Sequence, residues 1–172
     1  MSQSAAMQDP SHDDVEMLSF DLSGETFALE ADLVREILDI PAETQVPGAA
    51  PFVSAVINFR GKVIPVADLR LAFALDRGAA TLDSRIVVIE LDLDGDPTLI
   101  GLRADKVHEV SRLNWAKAEA APAIGMRWRQ DYVRRVSRRG EDPIVIPDLA
   151  RIFAARGEPG ETAVVTPLRP QA

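Results

Sequence analysis

Two stretches of this chain repeat each other. Residues 30–37 (EADLVREI) align with 103–110 (RADKVHEV) at a constant offset of 73. Both read A-D-x-V-x-E-[IV], and both follow a short turn, Ser23-Gly24 in one copy and Asp94-Gly95 in the other. Further on, Arg60-Gly61 with Ile64-Pro65-Val66-Ala67-Asp68-Leu69 and Phe73 resembles Arg139-Gly140 with Ile144-Val145-Ile146-Pro147-Asp148-Leu149 and Phe153, at an offset of 79 to 80. Chance could supply either match alone. Their shared order, with one short insertion between them, predicts two duplicated lobes. These would span about residues 16–82 and 83–155, near the lower size limit for independent stability, so they should share an interface. A groove between two related lobes is where a partner would bind.

The lobes read as β-rich. Leu18, Phe20 and Leu22 alternate with Ser19 and Asp21, the period of a strand with one buried face. Ser23-Gly24 then turns the chain into 26–30 as a hairpin. Residues 86–93 (IVVIELDL) do the same: Ile89, Leu91 and Leu93 face one way, Glu90 and Asp92 the other, and Asp94-Gly95 makes the turn. Gly and Pro punctuate the apolar runs, so helix is expected only as short pieces at 52–56, 69–75 and 149–155. The expected fold class is all-β. Residues 1–15 and 156–172 lack periodic apolar positions and are expected to be loose tails around a body at 16–155.

Composition excludes several chemistries. The chain has 27 acidic and 19 basic residues, a net charge of −8, which argues against a protein built to clamp phosphate backbones. No apolar run approaches the ~18–20 residues of a membrane span, and no basic-then-apolar export signal opens the chain, so a cytoplasmic protein without membrane insertion is expected. The absence of cysteine removes disulfides, thiolate nucleophiles and Cys-based metal sites. His12 lies in the N-terminal tail and His108 occupies a surface position where the other copy has Arg35; they form neither a metal pair nor a catalytic triad. Gly61-Lys62 is no P-loop, because Val63 stands where Ser or Thr is required. In Asp92-x-Asp94-Gly95-Asp96 the glycine is fourth rather than sixth, so a hairpin turn is expected instead of a calcium loop. No catalytic residue, cofactor or metal is expected.

Charge is unevenly spread. Within residues 1–50 the only base is Arg35 among many acids, whereas 127–139 holds Arg127, Arg129, Arg134, Arg135, Arg138 and Arg139 against Asp131 alone. Such asymmetry suits steering between protein partners. It also supports an alternative, a small β-barrel binding single-stranded nucleic acid through 127–139, where Trp128 and Tyr132 interleave with the arginines as stacking platforms do. The net charge and the small number of aromatic residues weigh against nucleic acid.

The segment Val56-Ile57-Asn58-Phe59-Arg60-Gly61-Lys62-Val63-Ile64-Pro65-Val66-Ala67-Asp68-Leu69-Arg70 resembles the motif N-[hydrophobic]-R-G-x-[IV]-[IV]-P-[IV]-x-D-L of the CheW-like family of bacterial chemotaxis coupling proteins. Phe27-Ala28-Leu29 followed by Val34-x-Glu36-Ile37 resembles the family's preceding strand pair, and the copy at 107–110 fits its second half. The resemblance spans roughly 16–155. It implies two SH3-like β-barrel subdomains with a groove between them. It implies a non-enzymatic adaptor, without cofactor, that links the cytoplasmic tips of methyl-accepting chemotaxis receptors to the regulatory domain of a CheA-type histidine kinase in membrane-associated arrays. The length argues against the kinase itself and against relatives carrying a receiver domain. Phe59 stands where the family most often has Leu, and its bulk is expected to alter the receptor surface.

Within the motif, Gly61 is expected at a turn with φ > 0, Pro65 at a strand edge or bulge, and Asp68 as the cap of a helix starting at Leu69. The resemblance places Val34, Glu36 and Arg60 at or near the receptor-binding groove. A guanidinium at a turn can pair with Glu36 and still present donors to a partner. Asn58 either joins this site or fixes the turn. Val107 and Val110 either line the groove's far side or belong to the core. No residue stands out for the kinase surface.

Overall fold

Four two-residue turns set the architecture of the computed structural model, which describes residues 14–121 and 129–156. β1 (Asp14–Leu22) turns through Ser23-Gly24 into β2 (Glu25–Glu30), and β5 (Ala55–Phe59) through Arg60-Gly61 into β6 (Lys62–Ala67). β7 (Arg85–Leu93) turns through Asp94-Gly95 into β8 (Asp96–Ala104), and β10 (Val133–Arg139) through Gly140-Glu141 into β11 (Asp142–Pro147). Arg60 and Gly61 have φ of +50° and +80°, the left-handed pair that matches a two-residue loop to the twist of its strands. A side chain in this region is strained by roughly 1–2 kcal/mol. The Gly61 N–H donates to Asn58 Oδ1 at 3.0 Å, which helps hold the turn. β3 (Val34–Asp39), β4 (Thr44–Gln45), β9 (Lys106–Asn114), α1 (Leu69–Ala72) and α2 (Leu149–Arg156) complete the set.

The strands form two sheets, ordered β10-β11-β2-β1-β9 and β3-β7-β8-β6-β5-β4. Each sheet draws on both copies of the repeat. The β1–β2 hairpin joins β9, β10 and β11, while the β7–β8 hairpin joins β3, β5 and β6. The sheets therefore do not divide the chain at 82/83; the copies exchange their first hairpins. The connections explain why. Only Asp105 separates β8 from β9, and one residue cannot reverse the chain into an antiparallel pair. β9 must leave its predecessor's sheet, and it pairs with β1 instead. The exchanged hairpins are seated by two parallel contacts, Val145 opposite Phe27 and Val66 opposite Gly101. A bridge between Glu119 and Val136 closes the first sheet, and β4 on β5 closes the second, giving two small barrels.

β1 and β7 each lie between two cores, so both differ from the one-sided strands expected. In β1, Met17 to Phe20 are consecutively buried. Leu18, Phe20 and Leu22 enter a large core shared between the sheets, while Met17 packs inside its own barrel with Ala28, Ile144 and Ile146. In β7, Val87, Ile89 and Leu91 enter the shared core, and Ile86 and Val88 pack with Ile57, Ile64 and Val66. The shared core also contains an aromatic exchange. Phe52 packs on Phe153 with ring centroids 5.3 Å apart, and Tyr132 on Phe73 at 6.5 Å. Under an offset of 80 these are equivalent pairs, each joining a turn of one copy to the helix region of the other. Such pairs add about 0.5–1.5 kcal/mol each beyond the area they bury.

Of the helix expected at 52–56, only Phe52 and Val53 are helical. Pro51–Val53 make one 3-10 turn and Ala55 already begins β5, where β-branched Val56 and Ile57 pair with Pro65 and Ile64. α1 stops at Ala72, just before Ala74 at φ +51°. Pro65 lies in an internal strand, but β6 pairs with β8 only from Val66 onward, so its missing N–H falls where that side has no partner. Asp14 pairs with Asn114 and Arg156 ends α2, so Asp14, Val15 and Arg156 belong to the body rather than the tails. Residues 1–13 and 157–172, the rest of those tails, lie outside the described residues. Among the described residues no helix is long and apolar enough to cross a membrane.

Candidate protein-docking site

β3 is an edge strand whose register slips between Val34 and Glu36. Such irregularities re-aim side chains. Glu36 meets the β5–β6 turn: Arg60 Nη2 lies 3.0 Å from Glu36 Oε2. The Arg60 side chain is 74% exposed and sits 5.2 Å from the Phe59 ring centroid. Phe59 itself is buried in the barrel core, so its extra bulk relative to Leu falls inside and not on the receptor surface as expected. A guanidinium has five donors, and the contact with Glu36 leaves others free for a partner. Asn58 uses its side-chain oxygen to lock the turn.

The structure brings Glu36, Asn58 and Arg60 to one end of the second barrel. Val34 and Val107, equivalent under the offset of 73, both pack partly buried against the shared core. Val110, on β9 of the other sheet, is 52% exposed and is not core. Two exposed apolar residues escaped the sequence reading. Val63, opposite Asn58 in β6, is 71% exposed, and Ile37, next to Glu36, is 42% exposed. Ile37 is the repeat equivalent of Val110, a signal that could have identified it.

Asp68 and Arg70 are buried and form a second, structural constellation. Asp68 Oδ1 accepts the Arg70 backbone N–H at 3.1 Å, capping α1. The Arg70 guanidinium donates to both Asp68 oxygens, from Nε at 2.9 Å and Nη2 at 3.2 Å, and its Nη1 donates to Asp105 Oδ1 at 3.1 Å. Asp105 also accepts the Ser23 N–H at 2.6 Å and so ties the β1–β2 turn to α1 across the sheets. His108 is not a plain surface residue, since its Nε2 lies 2.9 Å from Asp21 Oδ2 and its side chain is only partly exposed. Asp68, Arg70 and Asp105 line an open cavity of about 300 Å³ that also reaches Arg77 and Arg103. Arg103 donates to both Glu43 oxygens at 2.6 Å, and that bonding holds its pKa above the ordinary value. Among the described residues no group of three His, Cys, Asp or Glu converges as a metal site.

Among its described residues, 129–139, the arginine-rich stretch presents no stacking platform. Tyr132 is buried in the shared core, with the Arg129 guanidinium 4.7 Å from its ring centroid. Arg134 and Arg135 lie 4.8 and 5.3 Å from the Trp115 ring, occupying the space a base would need. Arg127 and Trp128 lie outside the described residues. Arg129 pairs with Asp131 at 2.7 Å, and this hydrogen bond holds the Asp131 carboxyl below its ordinary pKa.

A family model described as the CheW-like domain matches residues 16–157. Among curated proteins, the chain is 26% identical over 140 residues to the chemotaxis protein CheW of Klebsiella aerogenes, covering 81% of this chain and 82% of that protein. It is 32% identical over 107 residues to the chemotaxis protein CheW of Bacillus subtilis, covering 62% and 65%. Among solved structures, scaffolding protein TtCheW from Thermoanaerobacter tengcongensis matches with a TM-score of 0.74 at 28% identity, covering 86% of this chain and 91% of that one.

Proposed function

The chain belongs to the CheW-like family, and on that premise we propose how its surfaces serve an adaptor. It is a non-enzymatic chemotaxis coupling protein. Its partners are the cytoplasmic tip of methyl-accepting chemotaxis receptors and the regulatory domain of a CheA-type histidine kinase, and it works in the cytoplasm at membrane-associated receptor arrays. The receptor surface comprises Arg60, Glu36 and Asn58, extended by Val34, Val107 and Val110 toward the other barrel. Gly61, Pro65 and Asp68 shape the turn, strand and helix that carry Arg60.

The observation that carries this reading is the exposed Arg60 guanidinium, held by a single ion pair to Glu36 beside exposed Val63. An exposed pair of this kind contributes at most about 1 kcal/mol to folding, so stability alone is a weak reason for it. Offered to a partner carboxylate and desolvated there, the same guanidinium is worth more. An adaptor must hold both partners at once, so the kinase contact lies away from the β5–β6 turn. Reconstitution tests this reading. Receptor cytoplasmic fragments should alter kinase autophosphorylation only when the purified chain is added. Coupling that is equally strong without the chain, or failure of the chain to bind either partner, would overturn it.

A further inference from the structure

The seam that closes the first barrel carries a basic groove. There Glu119 and Val136 exchange backbone hydrogen bonds of 2.8 Å, joining the segment after β9 to β10. A cavity of about 360 Å³ opens beside this bridge. Arg112, Lys117 and Arg138 line it with Glu119 as its one acidic residue, and Leu113 and Val136, each partly buried against a core, supply its apolar edge. Among the described residues Arg112 has one distant ion-pair partner, Glu16 at 3.9 Å. Among the described residues the Lys117 and Arg138 side chains form no ion pair. Three cations against one acidic residue in one concavity of a chain with net charge −8 create a local field opposite to that of the whole molecule. The seam is also the counterpart of the one in the second barrel that β4 closes on β5 and Arg60 spans to Glu36.

We propose that this groove docks an acidic polypeptide segment of a partner protein. Its carboxylates meet Arg112, Lys117 and Arg138, and one apolar side chain enters against Leu113 and Val136. Charge complementarity selects an anion. The apolar edge favours a polypeptide over a nucleic acid, because the neighbouring Trp115 already carries two guanidiniums and offers no stacking face. The groove is separate from the Arg60 surface and does not depend on the role given to it.

The test uses the full chain and fluorescence anisotropy at about 0.15 M salt, where surface charges more than ~8 Å apart are largely screened. The probe is a fluorescein-labelled dodecapeptide with a central leucine flanked by glutamates. A peptide with glutamines in their place, an oligothymidylate of equal length and phosphatidylserine vesicles serve as comparisons. The wild-type chain should bind the glutamate peptide and bind the glutamine peptide at least about tenfold more weakly. The combined variant Arg112→Ala, Lys117→Ala, Arg138→Ala should lose at least tenfold in affinity while keeping its melting temperature, and Arg60→Glu should leave peptide binding unchanged. Equal binding by the triple variant, no binding by the wild type, or tighter binding of the oligothymidylate or the vesicles through the same three residues would overturn the proposal.

Discussion

Replacing Arg70 with Met keeps most of the stem's volume and removes the fork. Three charged hydrogen bonds go with it, two to Asp68 and one to Asp105. The Asp105 carboxylate is 36% exposed and can be hydrated again, so its loss matters little. Asp68 is the decisive residue, because its side chain is only 9% exposed. Breaking a buried ion pair from one side typically costs about 3–5 kcal/mol. Asp68 keeps the Arg70 backbone N–H, and Arg77, half exposed with Nε 4.0 Å away, can move closer. Both place the loss at the lower end, about 3 kcal/mol. For a body of this size that is a fall in melting temperature of roughly 6–12 °C. Circular dichroism melts and urea titrations of the purified variant measure it. The double variant Asp68→Asn, Arg70→Met should regain about half of the loss, because a neutral amide can still cap α1 and no charge is left buried. A loss under about 1 kcal/mol in the single variant, or strictly additive losses in the pair, would refute the reasoning.

Three further outcomes are expected. Gly101→Ala should destabilise the second barrel by about 1–3 kcal/mol, since a Cβ there would meet Ile86 Cγ2 at 2.8 Å; an unchanged melting temperature would contradict this packing. The Asp131 carboxyl should titrate below the usual carboxylate range in an NMR pH series, and return to it in Arg129→Ala. Because the folded-state pKa is lowered, the pair's contribution to stability is present above the ordinary carboxylate pKa and lost as pH falls through the folded value; identical titration in both proteins would show that the pair does not form in solution. Asn58→Ala should weaken the β5–β6 turn by about 1 kcal/mol, seen as faster amide exchange at Gly61, whose N–H it releases; unchanged exchange would count against the lock.

The hairpins were readable because Ser23-Gly24, Arg60-Gly61 and Asp94-Gly95 each combine a turn dipeptide with flanking alternation. The pairing of Arg60 with Glu36 was readable as well, since a carboxylate in the repeated motif and a cation in a turn are both free to reach out. The hairpin exchange was hidden. Alternation reports which face of a strand is apolar, but not which of two similar sheets receives it. A partial clue was present: the run IVVI is continuously apolar, as strands buried on both faces are. The Arg70 constellation was hidden for another reason. Nothing local marks Arg70 as buried: Asp68 was legible as a helix cap alone, and the third partner, Asp105, is 35 residues away in sequence. Tyr132 appeared among arginines as an aromatic platform, and only its packing against Phe73 shows it to be core.

The central claim is that one exposed side chain separates receptor binding from folding and from kinase binding. Arg60→Glu tests it most directly. The left-handed backbone at φ +50° strains Arg and Glu alike, so that term cancels. The lost pair with Glu36 is exposed, and losing it costs at most about 1 kcal/mol. Titration calorimetry of the purified variant against a receptor cytoplasmic fragment and, separately, against a kinase regulatory domain gives both affinities. Receptor affinity should fall at least tenfold, a loss of about 1.4 kcal/mol or more. Kinase affinity should stay within a few-fold of wild type, with the melting temperature changed by no more than about 4 °C. Equal losses for both partners with a lower melting temperature would make Arg60 a structural brace, and no loss for either would place the receptor surface elsewhere.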